Sequence, residues 1–234
     1  MAVFVCMDDT DNLNSRGTGR LARAVAAKLS KNYSVMGVTR HQLYVHPDIP
    51  YTSHNSCGVV HLELSGQEFL EDIFDIVKAE MLDDFIEGSD PGLAVASSEQ
   101  ISPALVAYGK DAKNTVLTQQ KARTLAKNLG IQLEGLGGTE DGVIGAMAGL
   151  GLALTANDGR FLMIGEIREL TGVQTVQKLI KAGIDGIYTL DGRPVTEGTI
   201  FNDENKSVKP CPVNGKAILY VEENDGELWA VKRN

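Results

Sequence analysis

Three carboxylates fall within four positions near the start of the chain. Asp8, Asp9 and Asp11 directly follow the apolar segment 2–7, which is typical of a short buried strand. Like charges this close disfavour one another's ionised form unless a cation lies among them. Mg²⁺ is commonly held by one or two carboxylates together with waters and phosphate oxygens. The cluster predicts catalytic and metal-binding roles for these aspartates. The alternative is a solvated turn whose side chains cap backbone amides.

The following segment, NSRGTGR at 14–20, has the composition of an anion site. Glycines let backbone amides approach a phosphate, and the N-terminus of a helix favours negative charge. Arginines add forked donors to phosphate oxygens. We expect phosphate contacts from Gly17, Thr18, Gly19 and Arg20, with Arg16 nearby. Because glycine-flanked helix starts also occur without a ligand, this interpretation depends on the carboxylates that precede the segment.

A second glycine-rich segment, GLGGTEDGVIGAMAGLG at 135–151, combines glycines with two acids. It lacks the Lys-Ser/Thr pair of a Walker loop and does not match GxGxxG. Glu140 and Asp141 are candidate metal ligands or bases, and the candidate phosphate contacts are Gly137, Gly138, Thr139 and Gly142. The alternative is a helix start that is followed by a small-residue face packed tightly against a neighbour.

The polar segment 40–56 holds three of the four histidines, His41, His46 and His54. They lack the i, i+4 spacing of a helical metal site. We expect a polar loop here in which Arg40, His54 and Asn55 contact a polar, heterocyclic substrate. The alternative is ordinary solvent-exposed surface.

Composition places limits on the class of protein. The chain has 234 residues, with 43% hydrophobic and 23% charged residues, a net charge of -9 and a pI near 5.0. Such an acidic balance argues against general nucleic-acid binding. Three separated cysteines without a CxxC pair favour a reducing compartment over a disulfide framework. The N-terminus has no basic segment and no apolar run is long enough to span a bilayer, so we expect a cytoplasmic protein.

Helical and strand patterns alternate over the first ~170 residues, and a strand-rich tail follows. The pattern predicts an α/β to α+β fold, with a body at 1–170 and a small β-rich region at 171–234. In an open α/β sheet, the first strand would deliver its aspartates to the edge where ligands bind. Helices are predicted at 19–31, 66–87, 114–130 and 175–183, and a hairpin with an Asn-Asp-Gly turn near the end.

Four segments, in this order, resemble the archaeal agmatidine synthetase family, which modifies the wobble cytidine of an isoleucine tRNA. They are the strand followed by DDTDN at 8–12, HPDIPYTSHNSCGVV at 46–60, DPGLAV at 90–95 and GLGGTEDGVIGAMAGLG at 135–151. The likeness extends over about residues 1–170. It implies a kinase-like, ATP-using domain and a ferredoxin-like α+β domain. In this family ATP activates the cytidine carbonyl and agmatine displaces the activating phosphate.

By this resemblance, Asp8, Asp9 and Asp11 would handle magnesium and phosphate, so ATP and Mg²⁺ are the expected cofactors. Phosphoryl transfer needs mostly positioning and charge stabilisation, which suits clustered aspartates, glycine amides and arginine. The family's threonine pair is replaced by GTGRLA at 17–22, and its zinc ribbon is expected to be missing because there is no CxxC pair. These departures favour a small or nucleoside-like substrate, with tRNA left as an open partner.

The leading hypothesis is therefore a magnesium- and ATP-dependent enzyme of the phosphotransferase or ligase type. Its site would lie between the end of the first strand and the 135–145 loop. Two alternatives remain open. One is a nucleotide-binding or regulatory module without turnover. The other is a magnesium phosphohydrolase, since Asp9 and Asp11 have the spacing of haloacid-dehalogenase phosphatases, although Leu13 stands where their threonine would be.

Overall fold

The structure is a computed structural model that describes residues 1–12, 17–50, 54–66 and 69–233. The chain divides into two compact units, Met1–Thr155 and Ala156–Asn234. The boundary expected near residue 170 therefore falls inside the second unit. None of the described helices is long and apolar enough to cross a membrane.

The first unit contains five strands and five helices among its described residues. The strands are β1 (Ala2–Asp8), β2 (Ser34–Gln42), β3 (Ser56–Glu63), β4 (Gly92–Ser97) and β5 (Gln132–Gly135). The helices are α1 (Thr18–Leu29), α2 (Leu70–Asp83), α3 (Pro103–Asp111), α4 (Gln119–Leu129) and α5 (Gly142–Leu154).

Within this unit the strands run in the order β5-β4-β1-β3-β2, and every neighbouring pair is antiparallel. β1 lies at the centre, where Val5 pairs with Val60 of β3 and with Val95 of β4. The fold is thus mixed α and β, as expected. However, the rule that ligands bind at the carboxyl ends of parallel strands does not apply to an antiparallel sheet.

Helices cover both faces of the sheet. On one face, Phe4 and Cys6 of β1 pack in a buried cluster with residues of α3, α4 and α5. On the other face, α1 lies against β3, where Gly58 approaches Ala22 and Thr18 of the helix. α2 packs beside α1 and against β4. Because β1 is covered on both faces, its residues 3–7 are all buried, and the strand reads as a continuous apolar run rather than an alternating one.

Several predicted elements are confirmed. The first strand extends through Asp8, and Gly130 ends α4 in the left-handed conformation expected of a C-cap. Other predictions were wrong in their bounds. The predicted helix at 66–87 has described helical residues only from Leu70 to Asp83. The expected polar loop at 40–56 begins inside β2, where His41 is buried and its Nε2 lies 2.8 Å from the Thr39 hydroxyl.

The second unit is rich in strands, as predicted. Its elements are β6 (Arg160–Met163), a 3₁₀ helix (Ile167–Glu169), β7 (Gln174–Thr175), α6 (Val176–Lys181), β8 (Gly186–Thr189), β9 (Thr199–Phe201), β10 (Cys211–Val213), β11 (Lys216–Asn224) and β12 (Glu227–Val231). Strands β10, β11, β12, β9 and β7 are neighbours in that order, and β8 pairs with β11. The predicted hairpin joins β11 to β12 through Asp225 and Gly226, both with positive φ.

The central helix of the first unit packs through small residues. A Cβ added at Gly149 of α5 would lie 2.3 Å from the Cys6 sulfur and 2.7 Å from the Cys57 sulfur. Real Cβ atoms do not approach so closely, so glycine at this position lets α5 lie directly on β1 and β3. The alternative interpretation of the 135–151 segment, a tightly packed small-residue face, is therefore present in the fold.

We expect Gly149→Ala to destabilise the protein by about 1–3 kcal/mol, because overpacking forces neighbouring side chains to move. Adding Cys6→Ala should recover part of this loss, since it removes the closer of the two sulfurs. Urea unfolding of the single and double variants measures the coupling. Strictly additive effects of the two substitutions would contradict this account of the helix–sheet contact.

Candidate active site

The three N-terminal aspartates lie where β1 ends and the chain turns. Asp8 is the last residue of the strand and is buried, whereas Asp9 and Asp11 are partly exposed. Asp9 has a φ of 52°, in the left-handed region that aspartate tolerates better than most residues. This conformation breaks the strand immediately after Asp8, so consecutive carboxylates are presented around one turn.

Asp8, Asp9 and Asp11 open into a single cavity of about 360 Å³ within the first unit. Its wall includes a fourth carboxylate, Asp141, which precedes α5. The described residues that line the cavity are Asp8, Asp9, Asp11, Thr18, Leu43, Asp48, Ile49, Pro50, His54, Asn55, Ser56, Ala112, Thr115, Val116, Leu117, Thr118, Gln119, Asp141, Ile144 and Gly145. Five of them are aspartates, and this described lining includes no lysine or arginine. The cavity is thus strongly acidic at one end.

Glycines of α5 permit its close approach to Asp8. A Cβ at Gly145 would lie 1.7 Å from the Asp8 Oδ2 atom, and one at Gly142 would lie 2.8 Å from the Asp8 carbonyl oxygen. These two glycines are three residues apart and therefore share a face of the helix. The glycine-rich segment thus contributes to the site by admitting the Asp8 carboxylate against the helix.

Burial and mutual repulsion dominate the electrostatics of the cluster. Desolvation, with the charges of Asp9 and Asp11 added, raises the pKa of Asp8 to about 8. Desolvation and the charges of Asp90, Asp11 and Asp141 raise the pKa of Asp9 to about 6. The pKa of the nearby Tyr108 hydroxyl is also raised, by burial and by Asp8. All of these shifts oppose further negative charge, so the site favours a cation or protons.

Of the residues at the start of α1 that were expected to contact phosphate, Thr18 lines the described cavity. The buried Thr18 hydroxyl accepts a hydrogen bond from the Thr10 hydroxyl at 3.1 Å. Gly17 is the N-cap with a φ of 78°, and no described side chain caps the helix. Gly17, Gly19 and Arg20 are outside the described lining of the cavity. The Arg20 guanidinium is instead ion-paired with Asp84 at 3.0 Å, and Arg16 lies outside the described residues.

The 137–142 loop is held largely by contacts within the protein. The Thr139 amide donates to the Asp90 carboxylate at 2.5 Å, and Gln119 donates to both the Thr139 carbonyl and Asp141 at 2.7 Å. Glu140 is ion-paired with Arg123 at 2.5 Å. Of the residues predicted in this loop, Asp141 faces the cavity, whereas Gly137, Gly138, Thr139, Glu140 and Gly142 are outside its described lining.

Two constraints, close packing and backbone conformation, explain why glycine occupies positions of this loop. A Cβ at Gly137 would lie 2.6 Å from the Phe85 ring, and a Cβ at Gly138 would lie 2.0 Å from Asp90 Oδ1. Gly138 also has a φ of 58°. These glycines therefore serve close packing and a left-handed turn. The phosphate contacts expected of them remain a prediction.

The predicted substrate residues are partly gathered. His54 and Asn55 line the cavity, and the Asn55 side chain donates to the Tyr44 carbonyl at 2.6 Å. Arg40 is outside the described lining, but its Nε donates to the hydroxyl of Ser56, which is in the lining, at 2.8 Å. These contacts hold polar residues of the cavity in place, and the described lining also includes apolar residues such as Leu43, Ile49 and Leu117.

Sequence reasoning missed one complete wall of the cavity. The segment 112–119, which joins α3 to α4, contributes six residues to the lining, ending with Gln119. It carries no pattern of charged or glycine residues that would mark a site. Asp90 was also missed as a site residue, although it begins the DPGLAV segment that carries the family resemblance.

The carboxylates that line the cavity meet the ligand requirements of a hard cation only in part. Among the described residues, no three His, Cys, Asp or Glu side chains converge closely enough to hold a metal ion by themselves. Mg²⁺ typically takes one or two carboxylates and completes its shell with water and phosphate oxygens. The acidic end of the cavity fits that second arrangement, since its carboxylates are crowded and the described cavity lining contains no lysine or arginine.

Comparison with known proteins places the fold. The structure is similar to that of the apo form of TiaS, an agmatidine synthetase of isoleucine tRNA, with a TM-score of 0.55 and 22% sequence identity. It is also similar to TiaS in a complex with this tRNA and ATP (TM-score 0.56, 23% identity) and to a tRNA fluorescent labeling enzyme (0.55, 24%). Each match covers 64% of this chain but only 35–36% of the other chain. The resemblance to the agmatidine synthetase family is thus confirmed at the level of the fold.

Two other comparisons gave no relatives. No protein-family model matches the chain. A search of curated proteins also found no match.

The raised pKa of Asp8 predicts that stability falls as pH rises. Between about pH 4 and pH 8 the folded state keeps a proton on Asp8 that the unfolded state has lost, so the free energy of unfolding decreases across this window. Asp8→Asn has nearly the same shape and cannot ionise. We expect it to flatten this dependence and to be more stable than the unsubstituted protein at pH 8, as measured by urea unfolding.

A matched control for this experiment is Asp75→Asn, because Asp75 is exposed on α2. It should leave the pH dependence unchanged. Equal slopes for Asp8→Asn and the unsubstituted protein between pH 5 and pH 8 would show that Asp8 ionises normally in the fold.

Proposed function

We propose that this protein is a magnesium-dependent, ATP-using enzyme of the phosphotransferase or ligase type, with a kinase-like site in the first unit. The observation that carries the proposal is the convergence of Asp8, Asp9, Asp11 and Asp141 on one cavity whose described lining also includes Thr18. Carboxylates and the start of a helix are groups that position a metal-bound phosphate.

Each group has a role that follows from its chemistry. A bound magnesium–ATP complex would supply the phosphoryl group and neutralise the carboxylates. Burial and neighbouring carboxylates raise the pKa of both Asp8 and Asp9, so a bound cation would stabilise their ionised forms. Thr18 stands at the first turn of α1, where the helix dipole favours an anion.

The remainder of the cavity supports a small or nucleoside-like substrate. Apolar side chains of Leu43, Ile49 and Leu117 can cover the faces of a planar ring, while His54 and Asn55 offer polar groups beside it. A cavity of about 360 Å³ is at the lower end of the usual range for small-molecule sites.

The relatives support the ATP part of the proposal more than the acceptor. One similar structure is a complex of TiaS with isoleucine tRNA and ATP, and another is a complex with the same tRNA, AMPCPP and agmatine. Since this chain matches about a third of those chains, we extend only nucleotide use to it and leave tRNA as a partner to be tested.

Isothermal titration with ATP in the presence and absence of Mg²⁺ tests the proposal. We expect saturable binding that requires Mg²⁺, and a loss of about 10-fold or more in Asp9→Asn, since removing even a residue that supports a metal ligand typically costs this much. Asparagine is chosen because it tolerates the positive φ of this position. Asp75→Asn on α2 should bind as the unsubstituted protein does.

Absence of binding, or binding unaffected by Asp9→Asn, would exclude the proposed site. Turnover assays separate the alternatives. Saturable ATP binding without consumption across a broad acceptor panel indicates a regulatory module. Phosphate release from simple phosphomonoesters, with no preference for ATP, indicates a phosphohydrolase.

A further inference from the structure

Asp90 lies just before β4 and joins two parts of the candidate site through its backbone. Its amide donates to the Asp9 carbonyl at 3.2 Å, and its carbonyl accepts from the Gly142 amide at 2.9 Å. The turn that carries Asp9 and the first residue of α5 are therefore fastened to the same residue.

The Asp90 side chain extends this connection into the 137–142 loop. Its Oδ1 atom accepts from the Thr139 amide at 2.5 Å. The Thr139 hydroxyl in turn donates to Asp141 Oδ2 at 3.0 Å, and Asp141 faces the cavity. Asp90 is thus connected to two cavity aspartates. Its backbone amide is hydrogen-bonded to Asp9, and its side chain is linked to Asp141 through Thr139.

The surrounding glycines fit this arrangement closely. Gly138 has no room for a Cβ because Asp90 Oδ1 occupies that position, and a Cβ at Gly92 would lie 2.1 Å from the Gly142 carbonyl carbon. The backbone at the start of β4 is therefore in direct contact with the backbone at the start of α5. Asp90 itself is partly exposed and is not in the described cavity lining, so it would act through its neighbours rather than on a ligand.

We propose that Asp90 is a positioning residue that sets the spacing of Asp9 and Asp141 and adds a negative charge behind them, thereby raising the affinity of the cavity for a divalent cation. This inference rests on the proposed function for its relevance to catalysis. The anchoring of the 137–142 loop by Asp90 does not rest on the proposed function, because it concerns contacts within the protein alone.

Two substitutions separate geometry from charge. Asp90→Asn keeps an oxygen that can accept from the Thr139 amide but removes the charge. Asp90→Ala removes both. Asp75→Asn on α2 removes an exposed aspartate remote from these contacts and serves as the control.

Amide hydrogen exchange measures the anchoring in the protein without ligand. We expect exchange at Thr139 to accelerate by about 10-fold or more in Asp90→Ala, because the amide loses its acceptor, and to stay near the original rate in Asp90→Asn. The Gly142 amide bonds to the backbone of Asp90, so its protection in every variant reports that the fold is intact. Unchanged exchange at Thr139 in Asp90→Ala would overturn the anchoring role.

Mn²⁺ binding, followed by electron paramagnetic resonance, measures the effect of the charge. We expect affinity to fall by about 3- to 10-fold in Asp90→Asn, as for the loss of a nearby charge in a partly hydrated site, and by about 10- to 100-fold in Asp90→Ala. Equal affinity in Asp90→Asn and the unsubstituted protein, or no Mn²⁺ binding at all, would overturn the role of the charge. If Mn²⁺ follows this order while ATP does not bind, the proposed function fails and the positioning role stands.

Discussion

Repulsion among buried carboxylates is the constraint on which the site depends. Asp8 ends a strand that is covered on both faces, so its carboxylate cannot turn to solvent as the side chain of a surface residue would. Asp9 and Asp11 follow within three residues, and Asp141 approaches from the start of α5. A fold that gathers these groups bears an electrostatic cost in the absence of a cation, and the raised pKa values of Asp8 and Asp9 express that cost.

The antiparallel sheet and the glycines of α5 make this gathering possible. Because β1 is central, its end is surrounded by β3, β4 and the helix rather than by a solvent-exposed edge. Gly142, Gly145 and Gly149 allow α5 to lie close to that strand, because the helix has no side chain at these three positions. Larger residues would move the helix away and would leave Asp8 in a wider, more hydrated space. Packing of the core and acidity of the cavity are therefore consequences of the same contact.

Local sequence was sufficient to predict the groups that the chain itself places together. The strand before Asp8, the turn after it and the start of α1 at Thr18 are all close in sequence. Local sequence was not sufficient to predict side-chain partners that come from distant parts of the chain. Nothing near Arg20 indicates that Asp84, 64 positions away, would take its guanidinium, and nothing near Glu140 indicates Arg123. The wall at 112–119 has no distinctive composition because it contributes shape rather than charge.

The likeness to TiaS and the identity of the wall residues bear on different parts of the function. Similarity at 22–24% identity shows a shared fold over 64% of this chain. An acceptor bound in this cavity, as proposed, would contact segments 43–50 and 112–119, which are mostly loops between the regular elements. Loops vary more readily than the strands they join. On the proposed function, the acidic residues and the lining loops can therefore change independently, so that a shared fold accommodates different acceptors.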